Sequence, residues 1–507
     1  MKLECGHGST LANCSCQVRK EPRKTRRRIA AHDKMQQSLS QWKRQRKEDR
    51  AGDALPVLRE GIRITVADCR PDYARAIMKD LTFMPFQGYD KGEPPQPVRC
   101  YVAAEDGSTL LLPRCYRGVP GPPEDRLCDG APLSCAFTGT LNPLQSTAAE
   151  ATLAQVRAPP FAAMLVLPCG FGKTVVGLSL AAALGRKTLV VVHKDFLLNQ
   201  WRERIATFLP TARLGVIQQN RLEFEDVDVA IAMLQTLCAR ELPPECLASF
   251  GTVVLDEAHH LAAPYFSQLF FKLPSRHVIG LTATPRRKDG LTEILHLFMG
   301  AFSYQLTARA ADDLAVQRVL WPPRYACRPE PSQADTQRLK TRVARDAARS
   351  DFVAKICAEA VDRGRQVLCL SDRIEHLHDL RDRFALLRPG VQAALYIGGR
   401  GRGNLEERRI AEAEARVLFG SYAMSSEGLD VPRLDTLVMA TPIGDATQAI
   451  GRILRPCDAK QPPLVVDVVD DCRAFARLDA ARRGYYERSA FGVEDCDWPT
   501  FALGKAT

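Results

Sequence analysis

No apolar run in this 507-residue chain approaches the length needed to cross a bilayer, and residues 161–167 are stopped by Pro168 and Gly170. No membrane partner is expected. No apolar h-region follows Met1, so no secretory signal is expected either. A disulfide framework is also missing. The seventeen cysteines are odd in number and scattered, and Cys169 lies inside a Gly-rich loop. They read as free thiols in an intracellular, reducing compartment. Paired C-x2-C spacing is absent near the amino terminus. Cys5, His7, Cys14 and Cys16 form a candidate zinc set, but ligands one residue apart make a tight tetrahedral site awkward. A Cys-bearing terminus without metal is the preferred reading.

What is present is the composition of a soluble globular protein, 46% hydrophobic and 25% charged, with length for about three domains. The net charge of +11 makes an anionic partner plausible, and much of the excess is local: residues 17–50 hold thirteen Lys/Arg against four Asp/Glu. This arm, 1–50, is expected to be disordered. A solvated tail, an accessory nucleic-acid contact and a nuclear localisation signal all stay open for it. Residues 51–136 read as a small α+β module, with a hairpin around Glu105-Asp106-Gly107. Packing against the rest of the chain is one role for it, and gripping nucleic acid is the other.

The chain is organised around 165–174, LVLPCGFGKT. An apolar strand runs into Pro168, Cys169, Gly170, Phe171, Gly172, Lys173 and Thr174, then into a helix-like run. That is the context of a phosphate-binding loop. The glycines let backbone N–H groups approach an anion, and the helix N-terminus adds donors and a positive dipole end. Lys173 would reach the β- and γ-phosphates, and the Thr174 hydroxyl would hold Mg²⁺. Leu167 stands where the G-x-x-x-x-G-K-[ST] pattern has its first Gly.

Further strands carry chemistry at their ends. Residues 252–259, TVVLDEAH, end an apolar strand in two carboxylates, which is costly unless they meet a cation or water. Asp256 suits Mg²⁺ through its water shell, and Glu257 suits polarising the attacking water. Residues 278–285 form another apolar strand, ending in Thr282 and Thr284. Periodicity fades around Trp321-Pro322-Pro323, so a linker is expected at 313–329. A second strand–helix series follows one long helical stretch, 335–363. Gln448, Arg452 and Arg455 are expected on one helix, with both arginines projecting from one face.

In this order and context the motifs PCGFGKT, DEAH, TAT and QAIGRILR resemble those of superfamily 2 helicases. The likeness covers about 137–490. It looks closest to the branch holding the transcription and repair translocase XPB and the helicases of large nucleocytoplasmic DNA viruses, including the poxviral transcript-release helicase. The stretches VVVHKDFLLNQW and GSYAMSSEGLDVPRLDTLVMATP add to it. The resemblance implies an α/β fold with two RecA-like parallel-sheet lobes: 137–312 binding ATP, 330–475 as the second lobe, and 476–507 as a C-terminal extension. It implies an adenine-reading role for Gln145, a catalytic base in Glu257, and coupling to nucleic acid through His259, Thr282 and Thr284. It implies a ligand-sensing loop at Gly428 and Asp430, and an arginine finger in Arg455, with Arg452 and Gln448 beside it. The XPB-type Arg-Glu-Asp after the TAT motif is missing; Arg286-Arg287-Lys288-Asp289 stands near its place.

The expected function is an ATP- and Mg²⁺-dependent DNA helicase or translocase, with RNA as the alternative polymer and transcription machinery as a further partner in a viral setting. A non-catalytic nucleic-acid scaffold is a second alternative, opposed by Lys173, Asp256, Glu257 and Arg455. The motor of a restriction-type complex is a third, although no separate nuclease constellation stands out. Nucleus, cytoplasmic viral factory and virion are not distinguished by the sequence.

Overall fold

The computed structural model describes residues 57–68, 71–85, 96–119, 121–168, 170–262, 267–284, 290–306, 314–322, 325, 332–397, 410–427, 429, 431–455, 457 and 460–503. The arm, the four-residue zinc set, Cys169, residues 286–289, Gly428 and Asp430 lie outside them.

The amino-terminal module holds β1 (Val57–Leu58), β2 (Ile62–Thr65), β3 (Thr82–Phe83), β4 (Val98–Arg99), β5 (Val102–Ala103), β6 (Thr109–Leu112) and β7 (Glu124–Asp125). Five of them form one sheet in the order β5-β6-β2-β1-β7, and β3 pairs with β4. In β2, Ile62 and Ile64 face in while Arg63 and Thr65 face out, the alternation of a sheet with one wet side. The inner side shares a continuous apolar core with the next domain, from Leu58 and Ile62 through Leu127 to Phe270 and Val253. Buried Arg114 donates to the carbonyls of Leu273 and Ser275 at 3.2 and 3.0 Å. The packing role expected for the module is therefore visible in the structure.

The first lobe is built on β8 (Ala162–Val166), β9 (Thr188–Val192), β10 (Leu214–Gln218), β11 (Arg221–Leu222), β12 (Val229–Met233), β13 (Thr252–Leu255), β14 (His277–Thr282) and β15 (Phe302–Gln305). Their order is β11-β10-β12-β9-β13-β14-β8-β15, and only the β10–β11 pair is antiparallel. Strands β8, β9, β12 and β13 are buried at every residue. Helices cover both faces, so these strands read as unbroken apolar runs. Alternate residues enter opposite cores: Met164 one, Ala163 and Leu165 the other. Each fully buried Val or Leu contributes about 1.5–3 kcal/mol.

The second lobe is wholly parallel among its named strands: β16 (Ala315–Trp321), β17 (Val367–Ser371), β18 (Ala393–Tyr396), β19 (Val417–Ser421), β20 (Thr436–Met439), β21 (Leu464–Asp470) and β22 (Gly492–Asp497), in the order β18-β19-β17-β20-β21-β16-β22. Three expectations change here. The stretch expected as a linker, 313–329, contains β16, which is central enough to pair with both β21 and β22. It read as irregular because Gln317 and Arg318 interrupt its apolar run. Both are buried, and Arg318 ion-pairs with Asp479 and Asp495. The segment expected as an extension, 476–507, belongs to the same sheet: helix Ala476–Arg488 leads back into β22. The single long helix expected over 335–363 is two, Gln333–Ala344 and Ala347–Asp362, because the Asp346 side chain caps the second by accepting from the Arg349 N–H.

All eleven cysteines among the described residues are free. No helix among the described residues is long and apolar enough to cross a membrane.

Candidate nucleotide-binding cleft

The strand β8 delivers the chain to the Gly-rich loop, and helix Lys173–Leu184 leaves it. Gly170 and Gly172 both lie at φ +79°, the left-handed region that glycine enters without a Cβ clash. A Cβ on Gly172 would stand 2.7 Å from Gln145 Nε2. One on Gly170 would stand 3.1 Å from Arg455 Cγ and 3.2 Å from the Gly451 carbonyl oxygen, both in the second lobe. Glycine thus serves the turn and the close approach of the lobes together. No side chain caps the helix at Gly172, so its first N–H groups and positive dipole end are offered to the cleft.

Fully buried β13 carries Asp256 and Glu257 to the same place. Lys173 Nζ lies 3.5 Å from Glu257 Oε1. Asp256 Oδ2 accepts a 2.8 Å hydrogen bond from the buried Trp201 indole N–H, and Oδ1 accepts from the Glu257 N–H at 3.0 Å. Burial and the Glu257 charge push the Asp256 carboxyl up to about 6. Burial also acts to raise Glu257, but its cationic neighbours, Lys173 foremost and Arg452 across the cleft, outweigh it and hold Glu257 below its ordinary range. Glu257 sits at φ +46°, unusual for a side chain of its size. Such a conformation costs about 1–2 kcal/mol, and strain of this kind gathers where geometry serves a ligand.

Beside the carboxylates three imidazoles lie in a row, each tilted to the next. His193 and His260 ring centroids are 4.1 Å apart, and His260 and His259 are 4.2 Å apart. His259 Nδ1 is 3.0 Å from Thr282 Oγ1, 3.4 Å from Thr284 Oγ1 and 3.4 Å from Glu257 Oε2. The Thr284 N–H donates to Thr282 Oγ1 at 3.1 Å. Burial holds His193 and His260 down to about 4 and about 3, so both rings are neutral near pH 7.

The second lobe closes the cleft. Gln448, Arg452 and Arg455 line it opposite Lys173 and Glu257, around a cavity of about 360 Å³. A phosphate loop, a carboxylate pair and two guanidinium groups from another lobe therefore surround one space.

Sequence and fold comparisons agree with this geometry. Residues 138–287 match the family profile described as Type III restriction enzyme, res subunit. A protein of Acanthamoeba polyphaga mimivirus, named as an ATP-dependent RNA helicase, L396, is 27% identical over 441 residues, covering 83% of this chain and 82% of that one. Saccharomyces cerevisiae Dbp5, solved bound to RNA and ADP BeF3, aligns over 71% of this chain and 91% of its own, with TM-score 0.52 and 13% identity. The Type ISP restriction-modification enzyme LlaBIII, solved bound to DNA, aligns over 73% of this chain with TM-score 0.50 and 16% identity; the aligned part is 32% of that larger chain. The fold is the two-lobed RecA-like fold of the superfamily 2 helicases. ATP hydrolysis is the reaction that drives this superfamily, and it has viral relatives here.

Within this superfamily 2 frame the individual residues fall as follows. Gly170, Gly172, Lys173, Thr174, Asp256, Glu257, His259, Gln448, Arg452 and Arg455 all border the cleft. Thr282 and Thr284 reach it through His259. Gln145 is not among the residues that line the cavity. Its Oε1 accepts from the Asn142 N–H and its Nε2 donates to the Phe171 carbonyl, so its amide caps a helix and ties down the phosphate loop. The finger helix, Thr447–Ile453, ends before Arg455. Arg452 is buried within it and donates to the Leu429 carbonyl at 2.9 Å, whereas Arg455 leaves the helix and reaches Gly170. The two arginines thus do not project side by side from one helix, because the helix stops between them.

Sequence reasoning missed His193, Gln200, Trp201, Arg204 and His260. One signal was available. Leu197, Gln200, Trp201 and Arg204 follow the i, i+3, i+4, i+7 pattern on helix Asp195–Phe208, and all but Trp201 line the cleft while Trp201 holds Asp256 from behind.

Proposed function

We propose that this helicase uses ATP, bound with Mg²⁺ between its lobes, to move along or unwind DNA. The observation that carries the reading is the single cleft that joins Lys173, Asp256 and Glu257 of one lobe to Arg452 and Arg455 of the other. Phosphoryl transfer asks for positioning and charge stabilisation more than covalent chemistry. Lys173 and the helix N-terminus would hold the phosphates, and Glu257, kept ionised, would accept a proton from the attacking water. Arg455 would meet the charge that develops on the γ-phosphoryl group, a role worth about 10³–10⁵ in rate in related NTPases.

The donor set suits Mg²⁺. A buried carboxylate with a raised pKa favours a nearby cation, and hydrated Mg²⁺ takes only one or two protein carboxylates besides phosphate. Asp256 and the Thr174 hydroxyl would hold it. When bound, it would neutralise phosphate charge.

The match to a restriction-enzyme profile supports DNA as the polymer. The odd number and scatter of the cysteines favour an intracellular, reducing setting. RNA is the second reading, favoured by the name of the mimiviral relative. Transcription, in a viral setting, is the process this reading favours. The amino-terminal module and basic arm are read as accessory nucleic-acid contacts. Glu257→Gln tests the chemistry: it should bind ATP while turnover falls at least a hundredfold. Turnover at the wild-type rate would remove Glu257 from the base role.

A further inference from the structure

Helix Gln333–Ala344 lies outside the motifs that build the cleft. It opens with a reciprocal cap between Ser332 and Asp335. Leu339 and Val343, four apart, are buried and pack with Cys472, Ala474 and Phe475. Lys340 is buried too and pairs with Asp372. Arg373 donates to Thr341 Oγ1 and to the Gln337 carbonyl, at 3.1 and 3.0 Å. These contacts lay the helix across the carboxyl end of β17. The finger helix follows β20 at this same edge of the sheet.

The outer face is different. Arg338, Arg342 and Arg345 recur at i, i+4 and i+7, so they share one face over about 10 Å. All three are exposed. The helix's own acidic residue, Asp335, is committed to the cap. Among the described residues Arg338 and Arg342 have no ion-pair partner. Arg345 meets Glu375 at 3.6 Å, but both groups are mostly exposed, and such pairs contribute little. The adjoining turn and helix add Arg473 and Arg477, also exposed. The helix offers no exposed aromatic ring for stacking on a base.

We propose that the Arg338–Arg342–Arg345 ridge, with Arg473 and Arg477 beside it, is a sequence-independent grip for the phosphodiester backbone of nucleic acid on the second lobe. Guanidinium groups match phosphate oxygens in a forked geometry, and a row of them suits successive phosphates. Contacts of this kind position a polymer without reading its bases. The proposal rests on the nucleic-acid motor reading and deepens it by naming where the second lobe holds the strand.

The test compares the full-length wild type with a triple variant, Arg338→Gln, Arg342→Gln and Arg345→Gln. A second variant, Arg363→Gln with Arg388→Gln, changes arginines before β17 and before β18, at the opposite edge of the sheet. Binding of labelled single-stranded and duplex DNA is measured from about 50 to 200 mM salt. ATPase activity is measured without and with nucleic acid. The slope of log K against log salt should become shallower by about 2–3 in the triple variant, close to 0.9 for each phosphate that is no longer neutralised. The nucleic-acid concentration for half-maximal ATPase stimulation should rise at least tenfold. Basal ATPase should not change, and the opposite-edge variant should behave as wild type. Wild-type stimulation together with an unchanged slope in the triple variant would overturn the ridge and leave the motor reading standing. A wild-type protein that neither binds nor responds to any nucleic acid would overturn both.

Discussion

Trp201 shows how much of the cleft depends on a residue that touches no phosphate. Its indole N–H holds one oxygen of Asp256, a carboxylate already destabilised by burial and by Glu257. Trp201→Phe keeps most of the packing and deletes the donor. A hydrogen bond to a charged group is worth about 1.5–3 kcal/mol. The variant should therefore lose roughly tenfold or more in ATP turnover while its melting temperature falls only slightly. Unchanged turnover would mean that Asp256 keeps its position without the indole. Glu257 makes the related point for the backbone: the positive φ beside Asp256 is legible in coordinates and invisible in the letters DE.

At the scale of elements, one junction carries a pH signature. His376, on helix Ile374–Leu387, is buried against helix Ala347–Asp362, with Ser350 Oγ 3.2 Å from Nε2 and Ser371 Oγ 3.0 Å from Nδ1. Burial, then the charges of Arg349 and Arg383, lower it from 6.5 to about 3. The unfolded chain therefore binds a proton between these values that the folded chain does not, so this contribution is intact above pH 6.5 and is lost as pH falls. Wild type should lose about 2–3 kcal/mol from this group by about pH 4.5. Chemical denaturation across that range should show a flatter pH dependence in His376→Gln than in wild type; equal slopes would contradict the assignment. The elements themselves were unevenly legible. Strands β9, β12 and β13 announce themselves as apolar runs because both faces are covered. Strand β16 does not, because Arg318 is buried by virtue of carboxylates that arrive more than a hundred residues later. Strand β22, GVEDCD, is an exposed acidic edge and reads as loop for that reason. The phosphate loop and the carboxylate pair were legible because their chemistry is local. The row of imidazoles was not, since it assembles residues from two strand ends.

For the whole molecule, charge and closure matter most. The arm at 17–50 carries nine of the eleven net positive charges, thirteen minus four. Deleting residues 1–50 should weaken nucleic-acid binding and flatten its salt dependence, because fewer counterions are released. An unchanged slope would leave the arm a localisation or solvated segment. Closure is written into the contact of Arg455 with Gly170: the catalytic set is complete only when both lobes meet around the nucleotide.

The central claim is that this cleft hydrolyses ATP in response to nucleic acid. The most direct measurement is steady-state ATPase activity with no polymer, single-stranded DNA, duplex DNA and RNA, for wild type beside Lys173→Ala. Strong stimulation by DNA in wild type, abolished in Lys173→Ala while DNA binding persists, is the predicted result. A folded wild-type protein that binds nucleic acid but hydrolyses no ATP under any of these conditions would contradict it.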